Sequence, residues 1–308
     1  MANRAKIVVI GSSNTDMAVK TPRIPAPGET VLGGDFMMAS GGKGANQAVA
    51  ASRLGADVTL IARVGTDVFG DRTVANIAAA GVNTKSIVRD DRAPSGVALI
   101  YVAETGQNAI VVASGANARL SPEDVDNARA AIEAADIVVL QFETPLETVQ
   151  HAIQLAKELG KTIIVNPAPA RDLPTGFLDG VDIITPNEVE AAMLLGLAPD
   201  EPFEAQEAAR RLLVLGVKAA VVTLGAEGAL SATPGRIQQI PGKRMNAIDT
   251  TAAGDCFTGA LACALGEGQE LGPAISFANA AAALSVTRLG AQTSMPVRIE
   301  VENLIQQR

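Results

Sequence analysis

The chain has 308 residues, room for two average domains or one large α/β unit. Apolar residues make up 48% and charged ones 19%, which excludes the low-hydropathy, high-charge composition of a disordered chain. A formal net charge of −8 without any basic run disfavours nucleic-acid binding, which needs rows of Lys and Arg against phosphates.

Along the chain, short β-branched runs alternate with Ala-rich helical patterns, the grammar of an α/β protein. Strands are predicted at 6–10, 57–64, 136–140, 162–165, 182–185 and 219–224. Most are near-continuous apolar runs, as buried parallel strands are. Helices are predicted between and after them at 45–54, 70–80, 122–134, 145–159, 188–195, 204–215, 255–265 and 273–288. Two regions break the alternation. Pro22, Pro25, Pro27 and Gly28 lead into a strand-like 30–38, and 95–113 reads as a hairpin of 97–103 and 108–113. Segments of about 14–40 and 94–113 are therefore expected to form a small β lid inserted in a single domain, 1–308. Such a cover suits a ligand held at the carboxyl ends of the strands.

The longest purely apolar runs reach about five residues, against roughly 18 for a membrane span. The first of them stops at Ile10, too short for a signal-peptide core, so the expectation is a cytoplasmic protein with no membrane contact. Cys256 and Cys263 lie about 10 Å apart along a predicted helix, too far for a disulfide, and read as small core residues.

Common nucleotide loops are absent. Gly160-Lys161-Thr162 lacks a glycine five positions before it and leaves a helix for a strand, the reverse of a phosphate-binding P-loop. Gly42-Lys43-Gly44 begins a dinucleotide pattern that fails at Gln47. A different feature stands out in Asp249-Thr250-Thr251-Ala252-Ala253-Gly254-Asp255. Small residues before a helix leave backbone N–H groups bare, and together with the helix dipole they make an anion site. Asp255 is either an ordinary first-turn carboxylate or a general base beside a transferring phosphoryl group.

Gly41-Gly42-Lys43-Gly44-Ala45-Asn46-Gln47-Ala48 and 249–255 resemble the two signatures of the ribokinase (PfkB) family of carbohydrate kinases. Between them, in matching order, stand Gly11 to Asp16, Asn166-Pro167-Ala168-Pro169-Ala170, Pro186-Asn187-Glu188-Val189-Glu190 and Thr223 to Gly228. The resemblance spans the chain and implies a ribokinase-like three-layer αβα sandwich, with a mostly parallel central sheet and a β lid. It implies ATP-dependent phosphorylation of O5 of D-ribose, with Asp255 as base and the N–H groups of Ala252, Ala253 and Gly254 as anion hole. Asn14, Asp16, Gly42, Lys43, Asn46 and Glu143 would bind the sugar. Asn14 and Asp16 also read as turn residues, Glu143 as a residue ahead of a helix, and Lys43 as a group reaching for phosphate or solvent.

By the same resemblance, Asn187 and Glu190 would organise phosphate and Mg²⁺, although N-x-x-E after Pro186 also reads as a helix cap. Thr223, Gly225, Gly228 and Gly254 would line the ATP site, with Asn279 near the adenine or ribose. Thr223 to Gly228 reads equally as a Gly-rich turn into a strand. Asp249, Thr251, Ser285, Arg288, Gly290 and Ser294 would ring a monovalent cation, K⁺, mostly through carbonyls. A homodimer through the lid is expected. Two other readings stand beside this one: a sister kinase for 2-deoxyribose, another sugar or a nucleoside, and a non-catalytic sugar or nucleotide sensor. His151, alone on an Ala/Leu helix, is expected to be a surface or capping-face residue and not a catalyst, and Tyr101, in the hairpin, is expected to pack.

Overall fold

A computed structural model describes residues 4–198 and 203–307. The apolar run Lys6–Ile10 forms β1, followed by β2 (Asn14–Thr21), β3 (Phe36–Gly41) and α1 (Lys43–Arg53). Next come β4 (Asp57–Gly65), α2 (Val68–Ala79), β5 (Ile87–Asp90), β6 (Gly96–Ala103) and β7 (Asn108–Ala113). The middle of the chain gives α3 (Pro122–Asn127), α4 (Arg129–Ala134), β8 (Ile137–Leu140), α5 (Leu146–Glu158), β9 (Thr162–Val165) and β10 (Ile183–Ile184). The remainder gives α6 (Glu188–Leu194), α7 (Ala205–Leu213), β11 (Ala219–Thr223), β12 (Ala229–Thr233), β13 (Arg236–Ile240), α8 (Ala253–Gly266), α9 (Leu271–Ser285) and α10 (Arg298–Gln306).

The described strands form a nine-stranded sheet, in the order β13-β12-β11-β10-β9-β8-β1-β4-β5, and a four-stranded sheet, β3-β2-β6-β7. The large sheet is parallel from β11 to β5, and β12 and β13 add an antiparallel edge. Strand alternation explains why its inner strands are apolar throughout. Ile7, Val9, Ile137, Val139 and Ile164 pack with α1, α2, α8, α9 and α10 on one face. Val8, Ile10, Val138, Leu140, Ile163 and Val165 pack with α3 to α7 on the other. Helices on both faces of a mostly parallel sheet make three layers, as expected.

Four local expectations are corrected. The helix expected over 122–134 is two, because the chain takes a tighter turn at Ala128, whose N–H bonds Val125 O three residues back while Ala131 N–H bonds Ala128 O. The strand expected over 30–38 lies at Phe36–Gly41, where it pairs Met38 with Met17 and Gly41 with Asn14. Asn14 and Asp16, which also read as turn residues, lie on Asn14–Thr21, an inner strand that pairs β3 on one side and β6 on the other. The strand over 182–185 shortens to Ile183–Ile184, since Asp182 turns its carboxylate to Ile163 N and Thr185 leads out to the site. The hairpin of β6 and β7 stands where the sequence put it.

Candidate active site

Five parallel strands deliver the site from their carboxyl ends, where open α/β sheets bind ligands. After β1 the chain passes through Gly11, Ser12 and Ser13. Gly44 lies so close to this loop that a Cβ on it would stand 2.7 Å from Ser12 N. Gly42 has a left-handed φ of 86° and presses on the same backbone, 2.6 Å from Asn14 N for a built Cβ. Glycines at these points let the start of α1 settle on the end of β1.

A dense set of side chains follows from that contact. Ser12 Oγ donates to Glu143 Oε2 at 2.5 Å, and Lys43 N–H donates to the same oxygen at 3.1 Å. Asn46 Nδ2 donates to Asp255 Oδ2 at 2.9 Å, and Gln47 Nε2 to Asp255 Oδ1 at 3.0 Å. Asn14 and Asp16, two apart on β2, share one face of the small sheet, and a Cβ on Gly41 would meet the Asp16 carboxylate at 2.1 Å. The structure thus brings the sequence-predicted Asn14, Asp16, Gly42, Lys43, Asn46, Glu143 and Asp255 together.

Electrostatics follow from crowding three carboxylates around one ammonium. Burial, with the negative charges of Glu143 and Asp255, pushes the Asp16 carboxyl up to about 7. Burial also raises Asp255, against the pull of Lys43, Asn46 and Gln47 toward its charged form. Burial works against the Lys43 ammonium, yet Asp255, Glu143 and Glu190 raise it above the ordinary lysine value, so it stays protonated. Lys43 is half-buried among these acids and does not point out to solvent.

The nucleotide-side candidates gather separately. A cavity of about 270 Å³ is lined by Thr223, Gly225, Gly228, Gly254 and Asn279, with Ala253, Ala282 and Ala283 among its other walls. Gly228 holds a φ of 96°, and a Cβ there would sit 2.2 Å from Ile240 O. Asn279 gives its Nδ2 to Ile240 O at 3.1 Å and Pro241 O at 3.3 Å, so it pins this wall. Asn187 and Glu190 make a reciprocal capping box at the start of α6, and Asn187 bridges to Thr223. Burial raises the Glu190 carboxyl, opposed by Asn187 N–H and Lys43.

The two halves meet at the start of α8. Ala252 takes a left-handed φ of 60°, Ala253 N–H closes a turn on Thr250 O at 3.2 Å, and Gly254 N–H is left without an intrahelical partner. Gly254 lines the cavity, while its neighbour Asp255 is 5% exposed and bonded to α1. Farther round, Asp249 ties two segments through Thr251 N at 2.9 Å and Gly290 N at 2.8 Å, and these bonds hold its carboxyl low despite burial. Ser285 Oγ and Ser294 Oγ turn to carbonyls on their own segments, and Arg288 pairs with Glu300.

Sequence reasoning gave no role to Asn117 and Gln141, and took Ser12 and Gln47 only as members of larger motifs. Asn117 is fully buried, with Oδ1 on Ser13 N at 2.9 Å and Nδ2 on Asn14 Oδ1 at 2.7 Å. A main-chain N–H can only donate, so Ser13 fixes the polarity of the Asn117 amide, which in turn leaves Nδ2 as the free end of Asn14. His151 bonds Asp126 at 2.8 Å, and both cysteines are buried and unpaired, their thiols pushed up to about 12 by burial.

A family model for pfkB family carbohydrate kinases matches residues 4–298. The chain belongs to the pfkB family. This carbohydrate kinase is a phosphotransferase acting on a sugar. It is 42% identical to a Staphylococcus aureus ribokinase over 97% of this chain and 99% of that one. It is also 40% identical to a Salmonella typhi deoxyribokinase, over 94% of this chain and 95% of the relative. Among solved structures, Arabidopsis thaliana ribokinase complexed with ribose and ATP superposes with a TM-score of 0.91 at 31% identity, covering 99% of the kinase and 100% of the plant chain. Among the described residues, no helix of this kinase is long and apolar enough to cross a membrane.

Proposed function

We propose that this kinase transfers the terminal phosphoryl group of ATP to O5 of D-ribose, giving ribose 5-phosphate, with Asp255 as general base. The observation that carries this reading is the split at the start of α8, where Gly254 opens on the cavity and Asp255 sits among the sugar-side groups. ATP in the cavity and ribose beside Asp255 would then present the phosphoryl group and its acceptor to one helix turn. Asp255 would take the O5 proton as the oxygen attacks, and the N–H groups at the helix start, with the Lys43 ammonium, would hold the negative charge on the phosphoryl oxygens. Asn14, Asp16, Gly42, Lys43, Asn46 and Glu143 would orient the sugar. Complexes of the plant relative with ribose and ATP support both substrates.

Among the described residues, no cluster of three or more His, Cys, Asp or Glu side chains forms a metal cage. Asn187 and Glu190 would organise Mg²⁺ through its waters, and the ion, held chiefly by ATP phosphates, would neutralise phosphate charge. For K⁺, the hydroxyls of Ser285 and Ser294 and the Arg288 guanidinium are turned to protein partners. The remaining donors of Asp249, Thr251, Ser285, Arg288, Gly290 and Ser294 are chiefly carbonyls, the oxygen ligands a hard cation takes.

We read residues 1–308 as one kinase domain, with the four-stranded sheet as its lid. Phe36, Leu99 and Val111 are exposed on one face of that sheet, which supports a homodimer through the lid and is read by sedimentation equilibrium. A kinase for 2-deoxyribose is the second reading, favoured by the likeness to the Salmonella deoxyribokinase. One assay decides between them: ADP release from MgATP in K⁺ or Na⁺ with D-ribose, 2-deoxy-D-ribose, D-fructose or adenosine, alongside Asp255→Asn. Ribose-dependent turnover, stimulated by K⁺ and reduced about 10² to 10⁴-fold in the variant, is the expected result. Preference for 2-deoxyribose would move the substrate, and unchanged turnover in Asp255→Asn would overturn the base assignment.

A further inference from the structure

We infer that Gln47 is a positioning residue that fixes the Asp255 carboxylate, through a buried amide network running from Thr185 and Gln141 to the base. The inference rests on the reading of Asp255 as base. Gln47 is completely buried on α1. Its Nε2 donates to Asp255 Oδ1 at 3.0 Å and to Asn166 Oδ1 at 3.1 Å, and its Oε1 accepts from Gln141 Nε2 at 2.6 Å. An amide nitrogen has two protons, so both are committed, and Gln47 retains no donor for a ligand.

The polarity of this network is fixed from both ends. A carboxylate only accepts, so Asp255 requires the nitrogen end of Gln47. Asn166 Nδ2 donates to Thr185 O at 2.8 Å, and a carbonyl also only accepts, so the oxygen end of Asn166 must face Gln47. Gln47 then turns Oε1 to Gln141. The other end of Gln141, its Oε1, is buried without a partner and lies where a Cβ on Gly11 would meet it at 1.9 Å. Four loops and helices therefore converge to place one N–H on one carboxylate oxygen, while Asn46 serves the other.

Two consequences follow for the base. The carboxylate cannot rotate without losing a hydrogen bond at each oxygen, so its position toward the sugar hydroxyl is set before substrate arrives. It is also held toward its charged form against its surroundings. Among the described residues Lys43 on α1 is the one cation that faces it, whereas Asp16 on β2, Glu143 ahead of α5 and Glu190 on α6 are acids, and Cys256 beside it is a buried thiol. Loss of the Gln47 donor leaves burial and those acids opposed by Lys43 and Asn46 alone.

The test measures kcat and the ribose KM against pH for the full-length enzyme and for Gln47→Met and Gln47→Glu, with ADP binding as the check that each variant is folded. In Gln47→Met, kcat at neutral pH is expected to fall roughly 10 to 100-fold, with the KM changed by less than about threefold. The acid limb of the kcat profile moves up by roughly one pH unit, and part of the lost turnover returns at alkaline pH. Gln47→Glu keeps an acceptor for Gln141 but sets an acid against Asp255, so its limb moves farther, and it carries the test if Gln47→Met does not fold. A folded variant with its acid limb in the wild-type place would overturn the inference, since a merely structural role lowers kcat by one factor at every pH. Full turnover in Asp255→Asn would instead overturn the base assignment beneath it, so the two failures are distinguishable.

Discussion

The two sides of the start of α8, proposed above for sugar and for nucleotide, are built from different materials. Around Asp255 the walls are side chains, with carboxylates, amides and one ammonium joined by hydrogen bonds of 2.5 to 3.1 Å. Around the cavity the walls are mostly backbone and methyl groups, contributed by Gly225, Gly228, Gly242, Gly254, Ala253, Ala282 and Ala283. The difference teaches that, on the proposed assignment, one side would recognise by charge and hydrogen-bond direction, and the other by shape. A polyol offers many hydroxyls to be matched, while a nucleotide offers a flat base and phosphates that main-chain N–H groups can hold.

Substitutions sharpen that contrast. Lys43→Met removes the ammonium that faces Glu143, Asp255 and Glu190, and turnover is expected to fall roughly 10² to 10³-fold, measured as kcat, with ADP affinity changed far less. A smaller effect comes from pH. The Asp16 carboxyl stands at about 7 in the fold against an ordinary 3.8, so the native state favours its protonated form. Its contribution to the stability of the ligand-free enzyme is full below the ordinary value and is lost as pH rises toward about 7. Thermal melting across that window is expected to fall in a step that Asp16→Asn lacks and that Asn279→Ala, on the nucleotide side, keeps. The smallest effect belongs to Ala252→Gly. It relieves a left-handed alanine at φ 60°, raising stability by about 0.5–1 kcal/mol in denaturant titrations and leaving kcat within about twofold.

The same contrast decides what could be read from the chain. β1 and the apolar strands beside it were legible because burial on both faces leaves one continuous pattern, and Asn46 and Asp255 because they stand in dense local motifs. β2 was not, since Asn14, Asp16 and Lys20 make it look like a loop, and its strand character comes from pairing with β3 and β6 far along the chain. Gln141 and Asn117 carry no local signature at all. An amide is made significant by what it meets, and here the partners lie 94 and 104 residues away. On the nucleotide wall Thr223, Gly225, Gly228, Gly254 and Asn279 were legible through their motifs, whereas Gly242, Ala282 and Ala283 were not, because small residues recur throughout the chain.

One feature of the helix pair reaches into biosynthesis. Asn46 and Asp255 are separated by 209 positions yet share a hydrogen bond, and Gly259 lets α8 approach so closely that a Cβ there would stand 2.6 Å from Gln47 O. At about 5–20 residues per second, a ribosome needs roughly 10 to 40 s to travel from one partner to the other. Throughout that interval the Ala-rich face of α1 has been made and the helix that covers it has not. The nascent chain therefore carries an unfinished apolar seam, open to non-native contacts, until α8 emerges to cover it.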